Sequence, residues 1–492
     1  MKKLFTTALI LTVFGISAMA REFNDSLRYR AEIGATFSAG DHTPFWMVND
    51  HYGFSGIKKN NAWIRAGIFH DLDKEKRFSW GAGVDLGVAV NFERVFIPQQ
   101  IYAEVKYRCL NAMIGQKEME DDVVTSDLAS GAMTVSRNAR PIPQLRIGIF
   151  DYADFWGCKG WFAVKGYLAY GMFTDNAWLK DWVSPNSAYV LNTLYATRAI
   201  YFRGGDARQF PLVGEVGMRM DSQFGGTIYY AEKDGVRASQ HFPTNLKAWI
   251  KGMVPLPGDE TTSVGEQMNV QGNFLGNWSF SLGWYDPKGW SVKAYYQHFF
   301  EDHSQMTFDY PWKDGYWGVE GKLPKNPYVS EIVAEYLTTR DSSGPVYFDH
   351  NQNIPYQVSG TDGYYTHFMY QSWNNYGMTI GNPFLISPVY NSDHDIRIRH
   401  NRIQAWNVGL KGAPSQQVNW KLRMSGIRSW GSYSAPTATV LHDFSMLAEV
   451  KYHPLRLKGW EGSFSAAFDK GNLIGDSFGI GISIAKVGFI HF

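Results

Sequence analysis

From Phe478 to Phe492 the chain keeps a strict period of two. Alternate residues read Phe478, Ile480, Ile482, Ile484, Lys486, Gly488, Ile490 and Phe492; those between read Gly479, Gly481, Ser483, Ala485, Val487, Phe489 and His491. Strand side chains alternate between faces, whereas helical ones recur every three to four residues. The stretch is therefore a strand with one branched and aromatic face, and at about fifteen residues it outruns the usual globular strand. Two folds accommodate it: the closing strand of an outer-membrane barrel, or an inner strand of a soluble sandwich.

The same alternation recurs upstream. Phe78, Trp80, Ala82, Val84, Leu86, Val88, Val90 and Phe92 share one face, opposite Ser79, Gly81, Gly83, Asp85, Gly87, Ala89 and Asn91. In Arg28 to Ser38 an apolar row (Tyr29, Ala31, Ile33, Ala35, Phe37) opposes Arg30, Glu32, Gly34, Thr36 and Ser38, and Ile101 to Tyr107 repeats the arrangement. Charged faces of this kind suit a wet lumen, and aromatic residues capping an apolar row suit a lipid-facing wall between two girdles.

The connections alternate in length. Long polar segments near 40–61, 116–144, 174–192, 222–274, 301–316 and 340–395 are separated by short turns such as Asp71-Leu72-Asp73-Lys74-Glu75-Lys76 and Asp286-Pro287-Lys288-Gly289. Val329 to Thr338 fits a strand or a helix and is read as a strand, and Thr244 to Met253 has the spacing of a short helix. About eighteen strands result, an even number with nearly every long segment on one side and nearly every short turn on the other. That is the asymmetry of bacterial outer-membrane barrels. The expected fold class is all-β: a transmembrane outer-membrane β-barrel of about 18 antiparallel strands, with long outer loops and short periplasmic turns.

Targeting agrees with this placement. Lys2 and Lys3, the apolar run Leu4 to Ile16, and Ala18-Met19-Ala20 read as a cleaved secretory signal at 1–20, leaving 21–492 as a single barrel domain. No later run is long and apolar enough for a spanning helix. With 47 basic and 46 acidic side chains the chain is near neutral, so no nucleic-acid partner is expected. Cys109 and Cys158 would meet an oxidising compartment, and their pairing is open.

Several islands resemble a known family. Ser136-Arg137-Asn138-Ala139-Arg140-Pro141-Ile142-Pro143 resembles the Asn-Ala-Arg-Pro motif of the Wzi-like capsule-assembly outer-membrane protein family. Thr43-Pro44-Phe45-Trp46, Phe299-Phe300-Glu301-Asp302, Asp314-Gly315-Tyr316-Trp317-Gly318, Tyr364-Tyr365 and Ile380-Gly381-Asn382-Pro383 resemble its Bacteroidetes branch. The resemblance implies an eighteen-strand barrel that binds capsular or other surface polysaccharide and helps attach or assemble the capsule. Asn138, Arg140, Pro141, Gly381 and Pro383 are its motif residues, expected to serve structure. Where the family has a His-x-Lys-type element, this chain has Tyr195-Ala196-Thr197-Arg198, and the basic role passes to Arg198.

Glycan binding needs flat rings beside carboxylates or amides on an accessible surface. Trp178, Asp181 and Trp182 supply them in one expected outer loop; Tyr310, Trp312, Asp314, Tyr316 and Trp317 supply them in another. The same rings suit an interfacial girdle or loops packed into the barrel mouth. Arg140 has the geometry to fork onto a lumenal carboxylate, and Pro141 stiffens entry to the next strand. No Gly-x-Ser-x-Gly or His-Glu-x-x-His occurs. Asp393-His394-Asp395 and Glu301-Asp302-His303 have cation-binding residue types, but loop acids beside His are commonly just solvated. The expectation is a monomeric, non-enzymatic barrel in outer-membrane lipid, with no catalytic set, metal or cofactor. A passive diffusion porin and, behind it, a barrel hydrolase are the alternatives.

Overall fold

The computed structural model describes residues 26–155, 157–158, 160–258, 270–301, 306, 308, 313–324, 326–342 and 363–491. The expected signal segment lies outside them, as do Tyr310, Trp312, Asp302 and His303. Eighteen antiparallel strands form one closed sheet. They are β1 (Ser26–Gly40), β2 (Asn61–His70), β3 (Phe78–Val90), β4 (Phe96–Tyr107), β5 (Leu110–Gln116), β6 (Gln144–Asp154), β7 (Phe162–Met172), β8 (Leu194–Gly204) and β9 (Leu212–Phe224). The circuit continues with β10 (Asn273–Tyr285), β11 (Ser291–Glu301), β12 (Gly315–Lys322), β13 (Glu331–Thr338), β14 (Ile403–Gly412), β15 (Val418–Gly431), β16 (Pro436–Tyr452), β17 (Trp460–Gly471) and β18 (Ser477–His491). β18 closes on β1 in unbroken register from Ser26↔His491 to Gly40↔Ser477, which leaves neither strand as an open edge.

Strand parity explains which side is wet. On β3, Ser79, Gly81, Gly83, Asp85, Gly87 and Ala89 are buried toward the lumen, while Phe78, Val84, Val88 and Val90 stand exposed on the outer wall. β18 repeats this with Phe478, Ile482 and Ile484 outward. Lys486, the one charge on that apolar row, lies near the inner end of β18. Its ammonium donates to the Lys458 carbonyl and sits 5.6 Å from the Trp460 ring centroid. Snorkelling to the interface removes most of the about 2–4 kcal/mol that a lysine costs at mid-bilayer.

The long connections 41–60, 117–143, 173–193, 225–272, 302–314 and 339–402 share one rim, the outer one by the asymmetry of such barrels. Three short turns, 91–95, 432–435 and 472–476, also sit there, and every connection on the opposite rim is short. Aromatic rings ladder across the wall below the outer rim: Tyr296 to Trp317 at 5.1 Å, Trp317 to Tyr336 at 6.0 Å, and Phe444 to Phe468 at 5.8 Å between centroids. Among the described residues the connections hold three short α-helices: α1 (Phe45–Val48), α2 (Asn176–Trp182) and α3 (Leu246–Met253). Cys109 and Cys158, both on inner-rim turns, form no disulfide with each other.

Candidate functional site

The lumen is filled by the chain itself. Described residues of 41–60, 117–143 and 363–401 fold inward from the outer rim, and the family-like islands meet there. Asn138, fully buried, donates through Nδ2 to the Thr379 carbonyl at 2.9 Å and accepts the Asp50 N–H through Oδ1 at 3.1 Å. Ser136 donates through its N–H to the Ile380 carbonyl and through Oγ to the Gly381 carbonyl, at 2.8 and 2.6 Å. Asn382 returns a bond from Nδ2 to the Gly131 carbonyl at 2.5 Å. A side chain at Gly381 would run into the Met133 carbonyl and the Tyr365 hydroxyl, so only glycine lets the two segments approach this closely. Pro383 follows at the same contact, and Pro141 leads 117–143 into β6.

The remaining islands brace this lock. Phe45 stacks on Phe384 at 6.1 Å, and Trp46 of α1 donates to Ser425 Oγ on β15 at 3.0 Å. Phe299 meets Tyr364 edge-on at 5.6 Å, and Tyr365 donates to the Met133 carbonyl. Glu335 on β13 gathers four donors: the hydroxyls of Tyr295 and Tyr316, the Ser130 N–H at 2.7 Å and Asn407 Nδ2 at 2.8 Å. Glu331 and Glu335 share the lumenal parity of β13, a signal present in the sequence but hidden by the helical spacing of the same stretch. Asp50 is the second hub. Arg137 grips it at 3.1 and 3.2 Å, and Arg423 reaches it at 2.8 Å while lying 3.6 Å from the Trp46 ring centroid. The fork onto a carboxylate expected of Arg140 thus belongs to Arg137. Arg140 instead lies over the Tyr376 ring, 4.1 Å from its centroid. A planar cation finds ring density there without needing an acid.

Below the plug, a cavity of about 680 Å³ opens at the inner rim. Ion pairs stud its wall: Arg28–Asp71 at 2.6 Å, Arg65 with Asp85 at 2.5 Å and Glu118 at 2.8 Å, Lys117–Glu104 at 2.6 Å and Lys74–Asp151 at 2.7 Å. Arg28 and Glu104 belong to the charged faces of β1 and β4, lumenal as the alternation predicts; their partners and the other pairs lie on β2, β3, β6 and the adjoining connections.

The glycan candidates are placed unequally. Trp178 is buried, and its Nε1 donates to Glu93 at 3.2 Å. Trp182 is half-buried and stacks on both Trp178 and His394, each at 4.9 Å. Asp181 is exposed beside it on the outer rim. Asp314 is buried, accepting the Asp341 N–H at 3.0 Å and the Tyr364 hydroxyl at 3.3 Å. Trp317 faces outward in the aromatic ladder, and Tyr316 faces the plug at Glu335. The structure brings Asp181 and Trp182 together on an accessible surface and takes Trp178, Asp314, Tyr316 and Trp317 away from it. Trp312 lies outside the described residues.

Arg198 corrects another expectation: it faces the outer wall, over the Phe274 ring at 5.1 Å. Its neighbours Tyr195 and Thr197 point inward and both donate to Asp221. The Asp393-His394-Asp395 run is tied up as well. Burial alone would raise the Asp395 carboxyl, but hydrogen bonds from Arg397 and Ser187 hold it down at about 2. Arg399 spans Asp393 and Asp395. Among the described residues no group of three or more His, Cys, Asp and Glu side chains is placed to hold a metal ion.

No protein-family model and no curated protein matches this sequence. Among solved structures the chain is similar to Wzi of Escherichia coli, described as an outer membrane protein involved in Group 1 capsule assembly and a carbohydrate-binding β-barrel. Identity is 13%, coverage is 94% of this chain and 84% of that one, and the TM-score is 0.58. OccAB2 of Acinetobacter baumannii matches at 9% identity over 95% and 98% of the two chains with a TM-score of 0.46. OpdQ of Pseudomonas aeruginosa matches at 9% identity over 95% and 100%, with a TM-score of 0.44. At these identities the likeness to Wzi shows the fold alone. This chain is an eighteen-stranded outer-membrane β-barrel with a lumen filled by its own outer connections.

Proposed function

We propose that this barrel binds surface polysaccharide at its outer rim and helps attach or assemble the capsule there. The observation that carries the reading is the filled lumen. Three outer connections are locked into the barrel by buried hydrogen bonds, so what the cell surface meets is a braced cap. Trp182 and Asp181, flanked by His394 and the Arg397–Asp395 and Arg399–Asp393 pairs, supply ring, carboxylate and guanidinium chemistry on that cap, the groups that sugars recognise. The likeness in fold to a carbohydrate-binding capsule-assembly barrel supports the same reading, as do the sequence islands. No chemical step is assigned to any residue.

Deleting the gene is expected to release polymer into the medium while total polymer synthesis stays normal. Undiminished retention on the deleted strain's surface would refute the proposal. The charged inner cavity favours a second reading, a passive diffusion pore. Planar-bilayer recording separates the two, since a pore gives steady open conductance and the capped binder gives none.

A further inference from the structure

The outer wall is not lipid-facing all the way round. On the outer halves of β9 to β11, residues whose parity points away from the lumen (Met220, Ser222, Phe224, Phe274 and Phe300) are buried instead of exposed. Part of their cover is α3, which runs over the outside of the wall. Tyr170, outward on β7, donates to the Trp249 carbonyl at 2.7 Å, and the two rings lie 4.8 Å apart. Ser222 Oγ donates to the Gly252 carbonyl at 2.5 Å, and the Phe224 ring meets Trp249 edge-on at 5.7 Å. Gly252 is required there, because a Cβ would touch Phe224 at 2.7 Å. Asn245 starts the helix by accepting the Ala248 N–H at 3.0 Å.

The helix is amphipathic in the reverse sense for a water-exposed element. It turns Ala248, Lys251 and Gly252 toward protein. Its apolar ridge points away: Leu246 is 78% exposed and Ile250 52%, one turn apart, and Val254 and Leu256 continue the line. An element interposed between a membrane wall and its lipid must itself meet lipid on its far side. Met172 and Leu168, on the same outward face of β7 as Tyr170, are exposed as well.

We infer that α3 is an interfacial helix, seated in the outer leaflet, whose Leu246–Ile250–Val254 ridge contacts lipid acyl chains beside the wall of β7 to β9. Amphipathic helices with one greasy face bind the boundary between head groups and acyl chains in this manner. Here the barrel holds the helix in place through the hydrogen bonds of Tyr170 and Ser222. The helix also shields the polar Ser222 from hydrocarbon.

Spin labels test this in the full chain reconstituted into phospholipid bilayers. In a Cys109→Ser, Cys158→Ser background, Leu246→Cys, Ile250→Cys, Leu168→Cys and Lys288→Cys are labelled separately. Leu168 is the lipid reference and Lys288, on an inner turn, is the aqueous one. All four positions are exposed, so folding is retained, and heat-modifiable gel migration verifies it. Expected is a several-fold excess of collisions with oxygen over a water-soluble nickel complex at 246 and 250, as at 168. Nickel accessibility matching position 288 would place the ridge in water and overturn the inference. Low accessibility to both reagents would mean that protein, either a second copy or the chain itself, covers the ridge, and that too would overturn it.

Discussion

Asn138→Ala should unlock the plug without opening the barrel. The substitution removes two bonds at once: Nδ2 to the Thr379 carbonyl at 2.9 Å and the Asp50 N–H to Oδ1 at 3.1 Å. Thr379 is fully buried, so its carbonyl loses its partner in a dry site, whereas Asp50 is half-buried and water can replace part of what its N–H loses. With about 1–3 kcal/mol for each buried group left unsatisfied, and less for the Asp50 side, the lock weakens by about 2–4 kcal/mol. The wall strands share none of these bonds, so the effect is confined to local opening of the plug. Hydrogen exchange followed by mass spectrometry should show protection at 126–142 and 375–385 falling by roughly 30- to 700-fold, with β1, β3 and β18 unchanged. Gly381→Ala should give the same pattern from the other side, since its Cβ meets Met133 and Tyr365. Unaltered exchange in both segments would refute the interlock.

Two further outcomes follow from buried and interfacial charges. Burial pushes the Asp175 carboxyl up to about 6, above its unfolded value, so its contribution is fully present below about pH 4 and is lost as pH rises through 6. The loss reaches about 3 kcal/mol. Asp175→Asn should therefore slow exchange of α2 at pH 8 and leave it nearly unchanged at pH 4; an effect independent of pH would contradict the assignment. Lys486→Leu should change equilibrium unfolding in vesicles by less than about 1 kcal/mol, because the ammonium already reaches the interface. Ile482→Lys, on the same outward row but nearer the middle of the wall, should cost about 2–4 kcal/mol. Equal costs at the two positions would contradict their placement.

The barrel was legible because parity is a local property. Phe78 to Val90 and Phe478 to Ile490 state their two faces residue by residue, and the register of β1 against β18 follows from closure. The pattern lapses at two other strands. β16 begins at Pro436, well before the apolar alternation that starts at Phe444, and β8 begins at Leu194, where Arg198 breaks the outward row. α1 and α2 were invisible because neither has a side-chain cap; packing against the lumen wall and against neighbouring connections holds them. The candidate site was harder, because a loop ring becomes surface or core only through partners far away in sequence. Trp178 is taken inward by Glu93, and Asp314 by Tyr364 and Asp341. The motif islands were visible as sequence, but their mutual contact in the lumen lies in the fold.

Binding of the cell's own purified surface polysaccharide to the full chain in lipid nanodiscs tests the central claim most directly. The account predicts saturable binding to the outer face, weakened at least several-fold by Trp182→Ala combined with Asp181→Ala, with plug exchange unchanged in that variant. No binding by the intact barrel, together with steady ion conductance through it, would contradict the account and favour a diffusion pore.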